Sequence, residues 1–156
     1  MGENIDLQGV TLAPLHNSNG SSKEFQGKFD GDNFVISNWT YNNISGDGIG
    51  LFGNINLSSI KNLGLINFDV TGHDYIGMLA GGASVRNSDF GDGYFSWSNT
   101  IDGIFVTGTV TGNYRVGGVI GHAGAIINNI MAFTNVSGKT QVGGIFGRKY
   151  DGGGTM

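Results

Sequence analysis

Residues 110–121 read Val-Thr-Gly-Asn-Tyr-Arg-Val-Gly-Gly-Val-Ile-Gly, and the same pattern returns elsewhere in the chain. An aliphatic or similar residue stands two positions before a glycine. Ile or Val followed by Gly comes four positions after that glycine, and another glycine closes the pattern. Further copies lie at residues 70–81 and 136–147, with a shortened copy at residues 44–53. Repetition at this spacing predicts structural repeats that stack on one another.

The length of the repeat follows from the closing glycines. These are Gly53, Gly81, Gly121 and Gly147, so the steps are 28, 40 and 26 residues. The long step contains an unrelated stretch of 13 residues at 86–98, and removing it leaves 27. We therefore predict a repeat of about 26–28 residues that is interrupted by an insertion loop at 86–98.

The residues before each copy show the periodicity of a strand. Residues 101–106, Ile-Asp-Gly-Ile-Phe-Val, are typical, because apolar residues alternate with small or polar ones. No window has a helical stripe with start and stop signals. Short strands bury their apolar face when copies stack about 4.8 Å apart. We predict an all-β fold without significant helix, a right-handed parallel β-helix or β-solenoid. Its inward columns would be Val70, Val110 and Val136, and Ile76, Val116 and Val142.

Glycine is the outlier of the composition, with 30 glycines and a single proline. Collagen needs a strict triplet period and abundant proline, so it is excluded. At the repeat positions a Cβ would clash with a neighbouring copy or meet a positive φ. The glycines predicted to be structural are Gly53, Gly72, Gly77, Gly81, Gly112, Gly117, Gly121, Gly138, Gly143 and Gly147.

The 156 residues suit one domain with three parts. Residues 1–40 form an atypical first coil that caps the stack, residues 41–147 hold the repeats, and residues 148–156 are a glycine-rich tail. Solenoid ends need caps, because an open coil leaves backbone unpaired. No comparable cap follows the last repeat, so we predict self-association through the C-terminal coil.

Several partners and compartments are disfavoured by the sequence. The net charge is −4 and eight basic residues are scattered singly, which does not fit a nucleic-acid partner. No apolar run approaches the roughly 20 residues that span a bilayer, so membrane insertion is not expected. Residues 1–7 have neither the basic nor the apolar region of a signal peptide. We expect a cell-surface or secreted protein, present as a fragment of a longer chain without its signal peptide.

Several runs resemble the GLUG motif. They are residues 50–53 (Gly-Leu-Phe-Gly), 60–65 (Ile-Lys-Asn-Leu-Gly-Leu), 116–121 (Val-Gly-Gly-Val-Ile-Gly) and 25–31 (Phe-Gln-Gly-Lys-Phe-Asp-Gly). GLUG repeats occur in large bacterial surface proteins, including IgA-specific metalloproteases and adhesin-like proteins. The resemblance covers about residues 25–147, and it implies a non-catalytic stalk or accessory module. The His-Glu-x-x-His zinc motif is absent, so protease activity is not implied.

The insertion is the best candidate for a ligand site, because loops on a rigid repeat scaffold commonly carry binding groups. Aromatic faces with nearby charges suit sugar rings or a protein partner. The alternative is that the aromatic rings fold back against the flank of the stack. The predicted ligand-binding residues are Arg86, Asp89, Asp92, Tyr94, Phe95 and Trp97.

Other chemistry finds less support. A glycan-active solenoid would align acids across copies, but Thr109 and Asn135 take the position of Asp69. The pairs Asp30/Asp32 and Asp89/Asp92 have the spacing of a calcium loop without its further ligands, which favours turn roles. Surface positions are expected for His16, His73 and His122. Residues 48–53 match Gly-x-Gly-x-x-Gly, but no helix follows. We predict no catalytic residue, no metal site and no cofactor.

The sequence thus favours a non-enzymatic repeat module of a bacterial surface or secreted protein. Its role would be adhesive or that of a spacer, with a glycan or protein bound through the 86–98 loop. Two alternatives stay open. One is a fragment of a glycan-active β-helix enzyme, and the other is a structural subunit of a larger fibre-like assembly.

Overall fold

A computed structural model describes residues 2–16, 24–83 and 99–149. In this part of the chain all regular structure is β-strand and every strand pairing is parallel. The strands are β1 (Ile5–Asp6), β2 (Lys28–Asp30), β3 (Val35–Ser37), β4 (Thr40–Asn42), β5 (Asn54–Ile55), β6 (Ser59–Thr71), β7 (Asp74–Ile76), β8 (Ala80–Ala83), β9 (Thr100–Thr111), β10 (Tyr114–Gly117), β11 (Ile120–Ala123), β12 (Ile126–Ser137), β13 (Thr140–Gly143) and β14 (Phe146–Lys149). The prediction of an all-β fold from parallel strands is confirmed. No described segment is a helix that could span a membrane.

The strands form three sheets. The first sheet has the order β1-β3-β6-β9-β12, with β2 and β4 also paired to β6. The second sheet has the order β7-β10-β13, and the third β5-β8-β11-β14. Residues 59–83, 100–123 and 126–149, here called the first, second and third copies, each contribute one strand to each sheet in the same order.

The register between copies agrees with the columns predicted from the sequence. Val110 lies beside Val70 on one side and Val136 on the other, in the first sheet. In the second sheet Val116 lies in the same way between Ile76 and Val142. Parallel in-register pairing therefore places the same position of each copy in one column.

The register also locates the extra residues of the long step. From Ala80 to Ile120 the step is 40 residues, and from Ile120 to Phe146 it is 26, a difference of 14. This is one more than the 13 counted from the sequence, because the second and third copies repeat with a step of 26 and not 27. The additional residues fall between Ala83 and Thr100. The predicted loop at 86–98 and residues 150–156 lie outside the described residues.

The core is continuous through the first and second copies and opens at the third. Val70, Val110 and Val116 are fully buried, whereas Val142 is 43% exposed. The reason is that β12, β13 and β14 each stand at the edge of their sheet, so the third copy is covered on one side within the described chain. At the other end Trp39 is fully buried, and its indole nitrogen donates a hydrogen bond to the Leu12 carbonyl at 2.9 Å.

Residues with left-handed backbone recur along the first sheet, and two of them are asparagines that bond to aspartates. Asn62 and Asn129 have φ of 54° and 50°. Each side-chain amide donates to an aspartate of the preceding copy or cap, Asn62 to Asp30 at 3.1 Å and Asn129 to Asp102 at 2.7 Å. Asn tolerates this conformation better than most residues. The same two asparagines therefore fit the left-handed backbone and also form hydrogen bonds to the neighbouring copy or cap.

At nine of the ten predicted glycines, all except Gly53, a Cβ would come within 3.0 Å of another atom. A Cβ at Gly77 would stand 2.5 Å from the Val119 carbonyl oxygen, and one at Gly121 would stand 2.5 Å from the Ile76 nitrogen. Of the ten, Gly53 has a φ in the left-handed region, at 63°. These positions therefore require glycine mainly because there is no space for a Cβ, and backbone conformation is the lesser reason.

Candidate functional site

The described residues on either side of the segment 84–98, Ala83 and Asn99, both contact Gly124, the residue after the second copy. The Gly124 nitrogen donates to the Ala83 carbonyl at 2.6 Å, and the Asn99 side-chain amide reaches the Gly124 carbonyl at 3.5 Å. Asn99 is fully buried, and its Oδ1 accepts hydrogen bonds from the nitrogen and hydroxyl of Ser58, both at 3.1 Å. The six predicted ligand residues, Arg86, Asp89, Asp92, Tyr94, Phe95 and Trp97, lie between these anchors and outside the described residues.

A group of cationic and aromatic side chains lies beside this position, at the corner between the second and third sheets. We call it the corner cluster. Its central residue is Arg115, on β10. The cluster comprises Tyr75, Tyr114, Arg115, His122, Gln141 and Arg148, which come from all three copies. His122 connects it to the insertion, because His122 lies in register with Gly82, one residue before Ala83.

Aromatic rings hold the central guanidinium of the corner cluster. The Arg115 Cζ lies 5.1 Å from the ring centroid of Tyr75 and 4.8 Å from that of Tyr114. These two rings meet edge to face, with centroids 5.9 Å apart. The Arg115 Nε donates to the Gln141 side-chain oxygen at 3.0 Å. Cation–π contact and a hydrogen bond thus orient the guanidinium.

Burial and two guanidiniums keep His122 neutral at pH 7. Its pKa is lowered to about 4, first by burial and then by the positive charges of Arg115 and Arg148. Arg148 is its register partner in the third copy, and the Arg115 Nη1 lies 3.4 Å from the His122 Nδ1. A neutral imidazole has one donor and one acceptor nitrogen, so His122 keeps hydrogen-bonding capacity. The sequence predicted a surface position for His122, and it did not predict the burial or the two neighbouring arginines.

The two arginines of the corner cluster lack acidic partners in the described part of the chain. No described carboxylate oxygen lies within 4.0 Å of the guanidinium nitrogens of Arg115 or Arg148. The protein as a whole carries a net charge of −4. Stacking of copies therefore concentrates positive charge that is scattered along the sequence.

A second polar group, formed by Asp47, His73 and Asp74, lies near the start of the second sheet. The His73 Nδ1 is 3.0 Å from an Asp47 oxygen and 3.4 Å from an Asp74 oxygen. The Asp47 oxygen also accepts the Asp74 backbone N–H at 3.0 Å, and the Asn113 amide donates to Asp74 at 3.2 Å. These residue types can ligate divalent cations, but contacts among themselves and with Asn113 already account for their arrangement.

The Asp30/Asp32 pair occupies a turn in which the carboxylate is already engaged. Asp30 accepts the Asp32 backbone N–H at 3.0 Å and forms a 3.0 Å ion pair with Lys61. Those contacts, together with the hydrogen bond from Asn62, lower the pKa of Asp30 to about 2. The turn role favoured by the sequence fits this geometry. The Asp89/Asp92 pair lies outside the described residues.

Sequence reasoning did not identify the corner cluster, because its members are spread over more than 70 positions and come from different strands. A usable signal was present. Tyr75, Arg115 and Gln141 each stand immediately before the aliphatic residue of the Ile/Val-Gly pair. Aligning the copies by that pair places three long side chains in one column.

Comparisons with known proteins place the chain beside two others. No family model matches it. It is 34% identical over 114 residues to halomucin of Haloquadratum walsbyi, a match that covers 72% of this chain and 1% of halomucin. Its fold resembles the crystal structure of a proposed immunoglobulin A1 protease from Bacteroides ovatus, with a TM-score of 0.67 and 20% identity. That similarity covers 96% of this chain and 54% of the other.

Proposed function

We propose that this chain is a right-handed β-solenoid of GLUG-like repeats and serves as a non-enzymatic, adhesive module of a cell-surface or secreted protein. The observation that carries the proposal is the in-register repetition of three copies through three parallel sheets. A chain that visits the same sheets in the same order must wind around a common axis. Parallel crossovers are right-handed in about 98% of proteins, which sets the hand.

The similarity to halomucin supports a module within a larger protein. The match spans about 1% of halomucin, so a segment like this one forms a very small part of that relative. A neutral surface, with 13% charged residues, suits a repeat that stacks against others. In this proposal residues 1–40 cap one domain, residues 41–147 form its coils, and residues 148–156 are a tail.

Ligand binding is proposed for the 86–98 loop, with a glycan or a protein as partner. The described residues on either side of the loop, Ala83 and Asn99, both contact Gly124, which is a fixed attachment point for a binding loop. Aromatic residues on such a loop gain contact area at low cost in conformational entropy.

A glycan array and a panel of surface proteins test this role. Wild type is compared with Trp97→Ala and with Phe133→Ser, a matched change of an aromatic residue that is 65% exposed on β12. We expect binding by wild type and Phe133→Ser, with loss in Trp97→Ala. Equal binding by all three proteins, or no binding by any, would show that the 86–98 loop is not the ligand-binding site.

A fibre-like assembly is the second candidate, and the open edge of the third copy favours it. In the described chain no strand covers β12, β13 or β14 on their outer side. By contrast, a glycan-active enzyme would need acids aligned across coils. Asp69 lies in register with Thr40 and Thr109, and Thr109 with Asn135, so this column holds a single acid.

A further inference from the structure

Three residues of the corner cluster occupy backbone positions that favour other residue types. Tyr75, Arg115 and Gln141 have φ of 61°, 54° and 55°, and Gly48 stands at the corresponding place in the shortened copy with a φ of 68°. Left-handed backbone suits Gly and Asn, and other residues adopt it at a cost. The non-glycine residues at positive φ in the described chain are Asp32, Asn33, Asn38, Leu57, Asn62, Asn67, Tyr75, Arg115, Asn129 and Gln141.

Five of those ten are Asn, as backbone preference alone would favour. Among these described positions, one column carries a long side chain in three successive copies, namely Tyr75, Arg115 and Gln141. Strained backbone of this kind persists where the surrounding structure or a function requires the side chain. The long side chains at Tyr75, Arg115 and Gln141 therefore indicate a requirement other than backbone preference.

The charge of the corner cluster indicates an anionic ligand. Arg115 and Arg148 flank the neutral His122, and no described carboxylate pairs with either arginine. Guanidinium groups bind carboxylates through charge-assisted, often bidentate hydrogen bonds. Rings that orient Arg115 reduce the entropy lost when it binds a partner.

The shape of the cluster indicates a ligand that also has an apolar face. The Tyr75 and Tyr114 rings are each partly buried and stand nearly perpendicular, with an interplanar angle of 86°. An aromatic ring offers a flat surface for the C–H groups of a pyranose. His122 and Gln141 supply neutral hydrogen-bonding groups for hydroxyls.

We propose that the corner cluster binds a carboxylate-bearing saccharide, with the carboxylate on Arg115 and Arg148 and the sugar ring against the tyrosines. This inference rests on the proposed adhesive function only in assigning a glycan as ligand. Its residues are other than those of the 86–98 loop.

Isothermal titration with a uronic-acid trisaccharide, tri-galacturonate, tests the assignment. The comparison ligands are uncharged galactotriose and sodium acetate. The variants are Arg115→Asn, whose new residue tolerates the left-handed backbone, and Arg148→Gln at an exposed position. Lys61→Gln removes a positive charge at the Asp30 ion pair and is the matched control.

We expect tri-galacturonate to bind wild type and Lys61→Gln equally, and to bind each arginine variant at least about tenfold more weakly. Absence of binding, equal affinity for galactotriose, or an equal loss in Lys61→Gln would overturn the proposal. Acetate with the same affinity as tri-galacturonate would show a carboxylate site without sugar recognition, which also overturns it. Should Arg115→Asn unfold, Arg148→Gln decides the result.

Failure here is distinguishable from failure of the proposed function. If the array signal depends on Trp97 and not on Arg115, the adhesive role stands and the corner-cluster site is wrong. If tri-galacturonate binding depends on Arg115, and neither the array nor the protein panel gives a signal that Trp97→Ala reduces, the corner-cluster site stands and the loop assignment is wrong.

Discussion

The nitrogen of Gly124, the residue after the second copy, donates a 2.6 Å hydrogen bond to the carbonyl oxygen of Ala83, the last residue of the first copy. Asn99 approaches the carbonyl of the same glycine from the other side. The described residues that border the segment 84–98 are therefore both held at Gly124. We therefore expect the register of the stack to be independent of the length of that segment.

Replacing residues 84–98 with a single Gly should preserve the fold. The new junction, Ala83-Gly-Asn99-Thr100, copies the spacing of Ala123-Gly124-Ala125-Ile126 in the next turn. We expect a cooperative melt within about 5 °C of wild type, because loop length changes closure entropy only slowly. Asn99→Ala is the contrasting change, and it should cost about 1–3 kcal/mol by leaving buried Ser58 groups unpaired. A non-cooperative melt of the shortened chain would contradict this account.

Gly117→Val should lower the free energy of unfolding by about 3 kcal/mol or more. A Cβ there would stand 2.6 Å from the Gly147 nitrogen and 2.8 Å from the Ile145 carbonyl oxygen, both in the adjoining copy. Gly144→Ala is the control, because a Cβ at Gly144 meets no other atom within 4 Å. Its effect should stay within about 0.5 kcal/mol. Urea titrations that rank the two variants equally would disprove the packing between copies.

The ring of His122 should titrate in the folded protein with a pKa of about 4, below its ordinary value of 6.5. The groups that face it are Tyr75, Arg115 and Arg148, on three other strands, beside Gly82. The unfolded chain binds the proton near pH 6.5 and the folded chain only near pH 4. His122 therefore contributes stability fully above pH 6.5, and that contribution is lost as the pH falls towards 4.

An NMR titration of the histidine ring protons checks this assignment. Arg115→Asn should raise the pKa of His122, because one of the two repelling charges is removed while burial remains. A His122 pKa near 6.5 in wild type would contradict the burial and charge described for the corner cluster.

Self-association through the third copy is predicted to weaken in Val142→Lys. Val142 lies over buried Val116 and is 43% exposed at the open edge. The lysine stem can still cover Val116, while its ammonium group opposes docking of a second chain. Sedimentation velocity over a range of concentrations should show larger species for wild type than for the variant. A wild-type chain that stays monomeric at every concentration would exclude this edge as a self-association surface.

The sequence by itself determined the repeat, the strand periodicity and the inward columns. Spacing carries this information, because parallel stacking converts equal positions in successive copies into neighbours in space. It also indicated where glycine is required, as at Gly77 and Gly121, since close approach excludes a Cβ. For those glycines the sequence left a clash and a positive φ as alternatives, and the structure shows a clash at Gly77 and Gly121 and a positive φ at Gly53.

Only the tertiary structure decided which charges meet. Arg115 and Arg148 are 33 positions apart in the sequence, and both lie beside His122. Their proximity depends on the exact register of β10, β11 and β14 and on the turn that leads from the second sheet to the third. A repeat pattern fixes which backbone positions stack. The direction of a long side chain at a left-handed residue depends on its local contacts, and these exist only once the copies have packed.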